Sequence, residues 1–379
     1  MQNNKLRMAI RATAAVTVLG LASQAQAFNF SAGDYDVSVY GYGRLNASYD
    51  IDNDQSLSTR SGSYDGLATD DGKDGHFGAD AVQSRLGVKT VTPEGVAITV
   101  EGDFRGGNLR LRHAFGSYNG VLMGQTWSNF SSFVGNTSTL DFDSLPGLAG
   151  YQARTAQARY TSGPLSIALE QPNSSILSGT AVDEKDSMPA FTARIEDSND
   201  GLSYSAALLA HQVGYDTGSN DESSFGFATF VAAKMMVTDM ISLQGTLSYS
   251  DGANSYLYRS GDNFGAASAY VDGSGDVETI AGYGGSVGAG INLGGGRSIN
   301  IGYGLVEVDW DDAEDDAASA GLTGIGGQSE SNSAIMANYK WTPVKNVMMG
   351  VEYQFLKREN VDGSDGDANR LLFAAQYNF

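Results

Sequence analysis

The chain has 379 residues, no cysteine and three histidines, and its 44 acidic residues outnumber its 23 basic ones to give a formal charge of −21. The lack of cysteine excludes disulfide scaffolds, thiolate metal sites and cysteine nucleophiles. The negative charge argues against a nucleic-acid-binding protein, because nothing in the total favours phosphate. The 49 glycines, 19 tyrosines and only 6 prolines favour a β-rich chain over a disordered one.

The N-terminus has the three parts of a secretory signal peptide. Three basic residues precede residue 12, residues 12–22 form an apolar run, and Ala25-Gln26-Ala27 is a small-residue cleavage site. The apolar run is too short to cross a bilayer as a helix. We therefore expect residues 1–27 to be a signal peptide and residues 28–379 to form an exported β-barrel domain.

The dominant hydrophobic period after the signal peptide is two. In residues 369–379 apolar and aromatic side chains alternate with polar or small ones, and residues 241–249 and 347–357 repeat the pattern. Successive side chains of a strand point to opposite faces, so each segment has one apolar and one polar face. The polar faces are rich in Ser, Thr, Gln, Asn, Gly and Arg, as expected for a water-filled lumen.

Aromatic residues gather near strand ends, as in the girdle of a membrane barrel. The predicted girdle residues are Tyr339, Trp341, Tyr353, Tyr377 and Phe379. Together with the polar faces, this favours a transmembrane antiparallel β-barrel over a soluble sandwich.

Short turns alternate with long polar connections, the pattern of outer-membrane barrels. The long connections are residues 51–80, 127–152, 172–188, 216–224, 251–280, 309–332 and 359–368. Sixteen strands are predicted, beginning near Val37, Ala81, Val96, Asn108, Val121, Ala153, Pro164, Pro189, Leu202, Phe225, Ile241, Ala281, Ser298, Ser333, Val347 and Asn369. A barrel of about sixteen strands is wide enough to enclose a channel.

Two runs of sequence carry a family resemblance. Residues 109–116 have the sequence LRLRHAFG and residues 121–130 the sequence VLMGQTWSNF. They are accompanied in order by QSRLG at 83–87, VEGDF at 100–104, TLDF at 139–142 and QARYT at 157–161. In these motifs, over about residues 37–171, the chain resembles the DcaP-like porins of Gram-negative bacteria.

This resemblance implies a homotrimeric outer-membrane porin that admits small, mainly anionic solutes such as dicarboxylates. It also implies outer-membrane lipid and lipopolysaccharide as surroundings. The chain departs from some members of the family, because it has no helical, coiled-coil extension before its first strand.

Basic residues recur on the polar faces of the first strands. The predicted pore-lining cations are Arg44, Arg85, Lys89, Arg105, Arg110, Arg112 and Arg159, beside the acids Glu101 and Asp103. Neighbouring strands lie about 4.8 Å apart, so these residues would form one basic wall, and rings of Arg or Lys select anions. In the alternative interpretation, Arg44, Arg85 and Arg110 pair with Glu101 and Asp103 for structural reasons only. Alternation places Ala114 in the lumen, and His113 and Phe115 on the apolar face.

The connection 127–152 is the predicted constriction loop, because it is long and follows the fifth strand. Folded inward, Asp141 and Asp143 would face the basic wall and set a transverse field. The alternative is an ordinary extracellular loop.

Most of the other acids lie in predicted loops: Asp50, Asp52, Asp54, Asp70, Asp71, Asp74, Asp309, Asp311, Asp312, Glu314, Asp315, Asp316, Asp362, Asp365 and Asp367. These runs raise the alternative of Ca²⁺ or Mg²⁺ binding, or of divalent bridges to lipopolysaccharide. None has the full EF-hand spacing with its final Glu, which favours solvated loops and no cofactor.

The sequence therefore predicts a passive porin for small anionic solutes, located in the bacterial outer membrane, and not an enzyme. The nearest Ser–His pair, His113 and Ser117, would be about 13 Å apart along a strand, too far for a hydrogen bond. The alternatives are a cation-selective general porin and an outer-membrane receptor or structural barrel with cation-binding acidic loops.

Overall fold

The computed structural model describes residues 27–53, 59–69 and 74–379. The predicted signal peptide therefore lies outside the described residues, apart from Ala27. The strands are β1 Phe28–Ala32, β2 Tyr35–Asp50, β3 His76–Asp80, β4 Arg85–Val91, β5 Ala97–Asp103, β6 Arg110–Tyr118, β7 Val121–Trp127, β8 Arg154–Ser162, β9 Leu165–Glu170, β10 Ile176–Leu177, β11 Asp183–Glu184, β12 Ala190–Asn199, β13 Leu202–Asp216, β14 Asp221–Met236, β15 Ile241–Asp251, β16 Ala269–Val271, β17 Val277–Thr279, β18 Ala281–Gly294, β19 Arg297–Val308, β20 Ser329–Val344, β21 Val347–Asn360 and β22 Asp365–Asn378. The helix α1 spans Asp311–Ala320, and short 3-10 turns lie at Leu67–Thr69, Asn254–Tyr256 and Ile325–Gly327.

The large sheet closes on itself as an antiparallel barrel. Strand β2 pairs with β4 on one edge and with β22 on the other, in the registers Tyr42↔Arg85 and Arg44↔Gln376. Strands β3 and β4 both pair with β2 and together form one interrupted barrel strand. The barrel has sixteen strands, which confirms the predicted fold class and the predicted number of strands.

The beginning and end of the barrel domain meet at one seam. Strand β1 pairs with the first half of β2 along the edge that β22 occupies further on. Gly41 and Phe379 exchange two backbone hydrogen bonds of 3.1 and 3.0 Å. The ring centroids of Phe28 and Phe379 lie 6.4 Å apart. Strand β1 therefore extends the line of the last strand and covers the free edge of β2.

Side chains alternate across the barrel wall with the period expected from the sequence. In β15, Leu243 and Leu247 are exposed on the outside, whereas Gln244 and Thr246 are buried inside. The same apolar-out, polar-in order runs along β8 and most of β21, and along β19 as far as Leu305. A soluble barrel would bury its apolar face, so this inverted order identifies the outer face as the lipid-facing one.

Five short strands, β3, β10, β11, β16 and β17, lie within the predicted long connections. These connections differ from the structure in three further places. Strands β13 and β14 run on to Asp216 and Asp221, and β21 and β22 run on to Asn360 and Asp365, so two of the connections are tight turns. The third difference is α1, which lies in the connection predicted over 309–332. These segments lie beyond the bilayer, where both faces meet water and the alternation of apolar residues disappears. Among the described residues, no helix is long and apolar enough to cross a membrane.

Candidate functional site

The predicted basic wall faces the barrel interior. Arg44 lies on β2, Arg85 and Lys89 on β4, Arg110 and Arg112 on β6, and Arg159 on β8, while Arg105 lies in the turn after β5. The carboxylates of Glu101 and Asp103 lie on β5 between β4 and β6. Inward positions on neighbouring strands are in register, so the wall is continuous from β2 to β6.

Three of these arginines share the two acids. Arg110 Nε lies 2.6 Å from Asp103 Oδ1. Arg112 donates to Glu101 Oε1 and to Asp103 Oδ2, both at 2.9 Å. Arg85 Nη1 lies 3.7 Å from Glu101 Oε1. The ion pairs of the structural interpretation are therefore present, and they leave one positive charge in surplus.

Arg44 is held differently, because it contacts no acid of the wall. Its guanidinium donates to Asn46 Oδ1 at 2.8 Å, to Gln376 Oε1 at 3.1 Å and to the carbonyl of Leu140 at 2.9 Å. The last bond joins the wall to the loop that follows β7.

A β-bulge in β6 changes which side chains enter the lumen. Glu101 pairs with His113, but Gly102 pairs with Leu111, so Arg112 is the extra residue. His113 consequently points inward, where Nδ1 lies 3.0 Å from Thr126 Oγ1. The predicted placement of Ala114 in the lumen and of His113 and Phe115 on the apolar face is wrong, because the bulge reverses the alternation after Arg112.

The loop over 128–153 lies inside the barrel. Near its start, Asn129 donates to Thr192 Oγ1 of β12. Further along, Glu352 of β21 accepts hydrogen bonds from the backbone N–H groups of Leu140 and Asp141, at 2.6 and 2.9 Å. Thr246 of β15 donates to the carbonyl of Gly147 at 2.7 Å. The loop therefore contacts inward faces of strands on several sides of the barrel.

The two loop acids are occupied by local contacts. Asp141 is buried and accepts hydrogen bonds from the backbone N–H groups of Gly62, Asp143 and Ser144 and from Gln354 Nε2, at 2.8–2.9 Å. Burial raises the pKa of Asp141 and the nearby Asp143 charge adds to the rise, whereas Arg259 and the N–H groups of Gly62 and Ser144 oppose it. Asp143 lies 3.9 Å from Arg60 Nη2.

The ring of Phe142, between these two acids, contacts the basic wall. The Cζ atoms of Arg60, Arg112 and Arg85 lie 4.2, 5.4 and 5.5 Å from its centroid. Neither Phe142 nor Arg60 was predicted as a site residue, because both lie in loops whose placement depends on tertiary contacts.

Arg154 is a further wall residue that sequence reasoning missed. Its Cζ lies 4.2 Å from the ring centroid of Trp127, its partner in the β7–β8 register. Alternation predicts Arg159 in the lumen, and it is buried inside together with Thr155 and Gln157 of the same strand face. Arg154 is the first residue of β8, where the regular strand geometry has not yet fixed the direction of the side chain.

Three connecting segments, one of them the loop inside the barrel, pack against one another next to the wall. Arg259 donates to the carbonyls of Ser144 and Gly62, both at 2.6 Å, and its Cζ lies 4.7 Å from the ring centroid of Tyr64. Tyr258 donates to the carbonyl of Asp143 at 2.8 Å. Burial raises the pKa of Tyr64 and of Tyr258, so both phenols stay neutral at physiological pH. Residues 59–69, 128–153 and 252–268 thus form one layer, here called the mouth layer.

The predicted girdle residues on β20–β22 lie on the outward face. Tyr339 and Trp341 stack at a centroid distance of 5.5 Å, and Tyr353 and Tyr377 are exposed. Phe379 lies at the seam with Phe28.

The acidic loops hold no metal-like cluster in the part of the chain that the structure describes. There, no three His, Cys, Asp or Glu side chains come together closely enough to hold a metal ion. Asp54, Asp70 and Asp71 lie outside the described residues.

Comparison with known proteins identifies relatives in sequence and in structure. Residues 2–274 match the model of the DcaP outer membrane protein family. The outer-membrane channel DcaP of Acinetobacter baumannii is similar in structure, with a TM-score of 0.79 and 30% identity over 92% of this chain and 99% of that chain. No curated protein matched the sequence.

More distant porins share the fold. OmpF of Salmonella typhi superposes with a TM-score of 0.58 at 13% identity, covering 93% of this chain and 100% of that chain. The anion-selective porin of Comamonas acidovorans gives 0.55 at 13% identity, covering 91% and 100%. The chain is thus a porin-like β-barrel of the bacterial outer membrane, and it belongs to the DcaP outer membrane protein family.

Proposed function

We propose that the protein forms a water-filled channel for the passive diffusion of small, preferentially anionic solutes such as dicarboxylates. The observation that carries the proposal is the inward wall of arginines on β2, β4, β6 and β8. Its two acids on β5 do not balance it, since Arg85, Arg110 and Arg112 share Glu101 and Asp103. Positive side chains lining a pore select anions.

The mouth layer supports a selective rather than a wide channel. Its packing brings Phe142 and Arg60 against the wall, so a solute crossing the barrel passes close to the guanidinium groups. Charges nearest the solute dominate its energy, because salt screens interactions beyond about 8 Å. The acids of the outer loops should therefore influence entry more than passage.

We further propose that the channel is a homotrimer, as the resemblance to the DcaP-like porins implies. One of the distant structural neighbours, OmpT of Vibrio cholerae, is described in a trimer form. Chemical cross-linking of the detergent-solubilised protein tests this: a three-chain band supports the proposal, and one-chain species alone contradict it.

Swelling of proteoliposomes tests the transport proposal. Three solutes of equal chain length are compared: a dicarboxylate, a neutral diol and a diammonium ion. We expect entry rates in the order dicarboxylate, diol, diammonium, because the wall attracts anions and repels cations. Fastest entry of the diammonium ion would instead favour a cation-selective porin.

A receptor or structural barrel is the second candidate, and the mouth layer is the observation that favours it. Its contacts fill much of the space above the wall with buried side chains, including Tyr64, Leu145, Leu148 and Tyr258. In that case folded, inserted protein would admit none of the three solutes.

A further inference from the structure

Arg154 is a wall cation without an acidic partner. Within the described ranges, no carboxylate lies within 4.0 Å of its guanidinium, and the guanidinium makes no hydrogen bond. The guanidinium stacks on Trp127, with Cζ 4.2 Å from the ring centroid. The side chain is half-buried, so its position is defined while its donors remain available.

The same indole ring also lies near the guanidinium of Arg112. The Cζ of Arg112 lies 6.0 Å from the Trp127 centroid and 5.4 Å from the Phe142 centroid. Its Nε and Nη1 donate to Glu101 and Asp103. Its Nη2 makes no hydrogen bond to any residue that the structure describes. One aromatic ring therefore contacts two guanidinium groups. Arg112 is fully buried, so only the half-buried Arg154 has donors within reach of a solute.

A carboxylate bound at Arg154 would also offset the repulsion between this cation and the neighbouring Arg112. A guanidinium presents its N–H donors in a rigid fork that matches a carboxylate in bidentate geometry. Stacking on an indole face orients such a fork at little further entropic cost, because the ring and the cation attract each other. Arg154 is thus arranged to receive a carboxylate group.

We propose that Arg154, stacked on Trp127, is a specificity-determining residue of the channel. It binds the carboxylate of a permeating solute through its own N–H donors, whereas Arg110 and Arg112 are paired with Glu101 and Asp103. This inference rests on the proposed function, and it assigns the anion-binding step to a residue that alternation places on the wrong face.

Single-channel recording with succinate as the probe tests the inference. Wild-type protein is compared with Arg154→Gln, Arg154→Lys and the control Lys234→Gln. Lys234 lies on the inward side of β14, close to the short turn that begins at Val237, and is exposed there. Both Gln variants remove one positive charge from the lumen, but only Arg154→Gln removes the guanidinium that stacks on Trp127.

The dissociation constant of succinate is taken from the succinate-induced interruptions of the KCl current. We expect Arg154→Gln to raise it about tenfold, the loss expected for a hydrogen bond from a charged donor. Lys234→Gln should change it less than about twofold, and Arg154→Lys should give an intermediate value, since Lys keeps the charge without the fork.

Wild-type succinate affinity in Arg154→Gln would overturn the inference. Equal losses of affinity in the two Gln variants would also overturn it, because they would mean that only the total charge of the lumen matters. If Arg154→Gln does not insert, Arg154→Lys decides the question: unchanged affinity in that variant would overturn the inference. Failure of the proposed function is distinct, because wild-type channels would then show neither anion preference nor succinate interruptions.

Discussion

Arg259 offers the sharpest test of how the mouth layer is held together. Its buried guanidinium donates one hydrogen bond to each of two other segments, at the carbonyls of Gly62 and Ser144, and stacks on Tyr64. We predict that Arg259→Met, which keeps much of the volume and removes the donors, releases the three segments from one another. The barrel strands should be unaffected, because none of their ladder hydrogen bonds involves this side chain.

The size of the effect follows from the contacts. A hydrogen bond from a charged donor contributes about 1.5–3 kcal/mol, and a desolvated cation–π contact adds about 0.5–2 kcal/mol. Because such terms are not additive, we expect a local destabilisation of about 3–6 kcal/mol. Every 1.4 kcal/mol is a factor of about ten in an equilibrium, so opening of the layer should become at least about a hundred times more frequent.

Hydrogen exchange measured by mass spectrometry is the assay. Three backbone hydrogen bonds between the segments report opening: those donated by the N–H groups of Tyr64, Phe142 and Gly147 to Asp262, Arg60 and Tyr258. Peptides containing these amides should exchange much faster in Arg259→Met, while β13 and β14 keep their protection. The control is Arg297→Met, because Arg297 is exposed at the turn between β18 and β19. Unchanged exchange of the three amides would refute the reasoning.

Three further predictions concern the loop over 128–153 and the wall. Glu352→Gln removes the charged acceptor of two loop amides, so the loop should detach and single-channel conductance should rise. An unchanged conductance would mean that the Glu352 carboxylate is not needed to hold the loop. Gly147→Ala should displace the loop, because the added methyl carbon would lie 2.4 Å from a β19 carbonyl oxygen. The control is Gly363→Ala, because Gly363 has a similar positive φ but open space around it. Only Gly147→Ala should therefore alter conductance. Arg112→Met removes the charged hydrogen bonds to Glu101 and Asp103 and leaves each carboxylate with one arginine, Arg85 or Arg110. Each lost bond contributes about 1.5–3 kcal/mol, so the unfolding temperature of the barrel in detergent should fall, and an equal fall in Lys234→Met would argue against the ion-pair explanation.

The strands were predictable because the lipid imposes a simple rule on them. A segment crossing the bilayer must alternate apolar and polar side chains, and residues 241–249 follow this rule without exception. Where strands continue into water, as at Asp216 and Asn360, the rule lapses and the sequence no longer marks the strand end. Helix α1 was missed for the same reason, since its acidic residues suit a solvated loop equally well.

The site was predictable only in part. Alternation correctly assigned Arg44, Arg85 and Arg159 to the interior, because the regular ladder fixes the direction of each side chain. It failed after the bulge at Arg112, where one extra residue reverses the faces. It also failed at Arg154, at the start of a strand. The contacts of Arg60, Phe142 and Arg259 join segments far apart in sequence, and no local pattern encodes such packing.

The sequence raised a conflict between an acidic chain and a basic lumen. The structure places the cations on the inward faces of the first strands, whereas α1 and the turn after β21 carry acids outside the barrel wall. Exposed charges are screened over about 8 Å at physiological salt. The acidic loops should therefore slow the entry of anions mainly at low ionic strength.

The reversal potential of single channels in a planar bilayer under a KCl gradient tests the central claim most directly. We predict a potential of the sign that marks chloride as the more permeant ion, and we predict that it shrinks in the double variant Arg110→Gln/Arg112→Gln. A potential of the opposite sign would mean that the loop acids control the pore, and it would contradict the assignment of the arginine wall as an anion-selective lining.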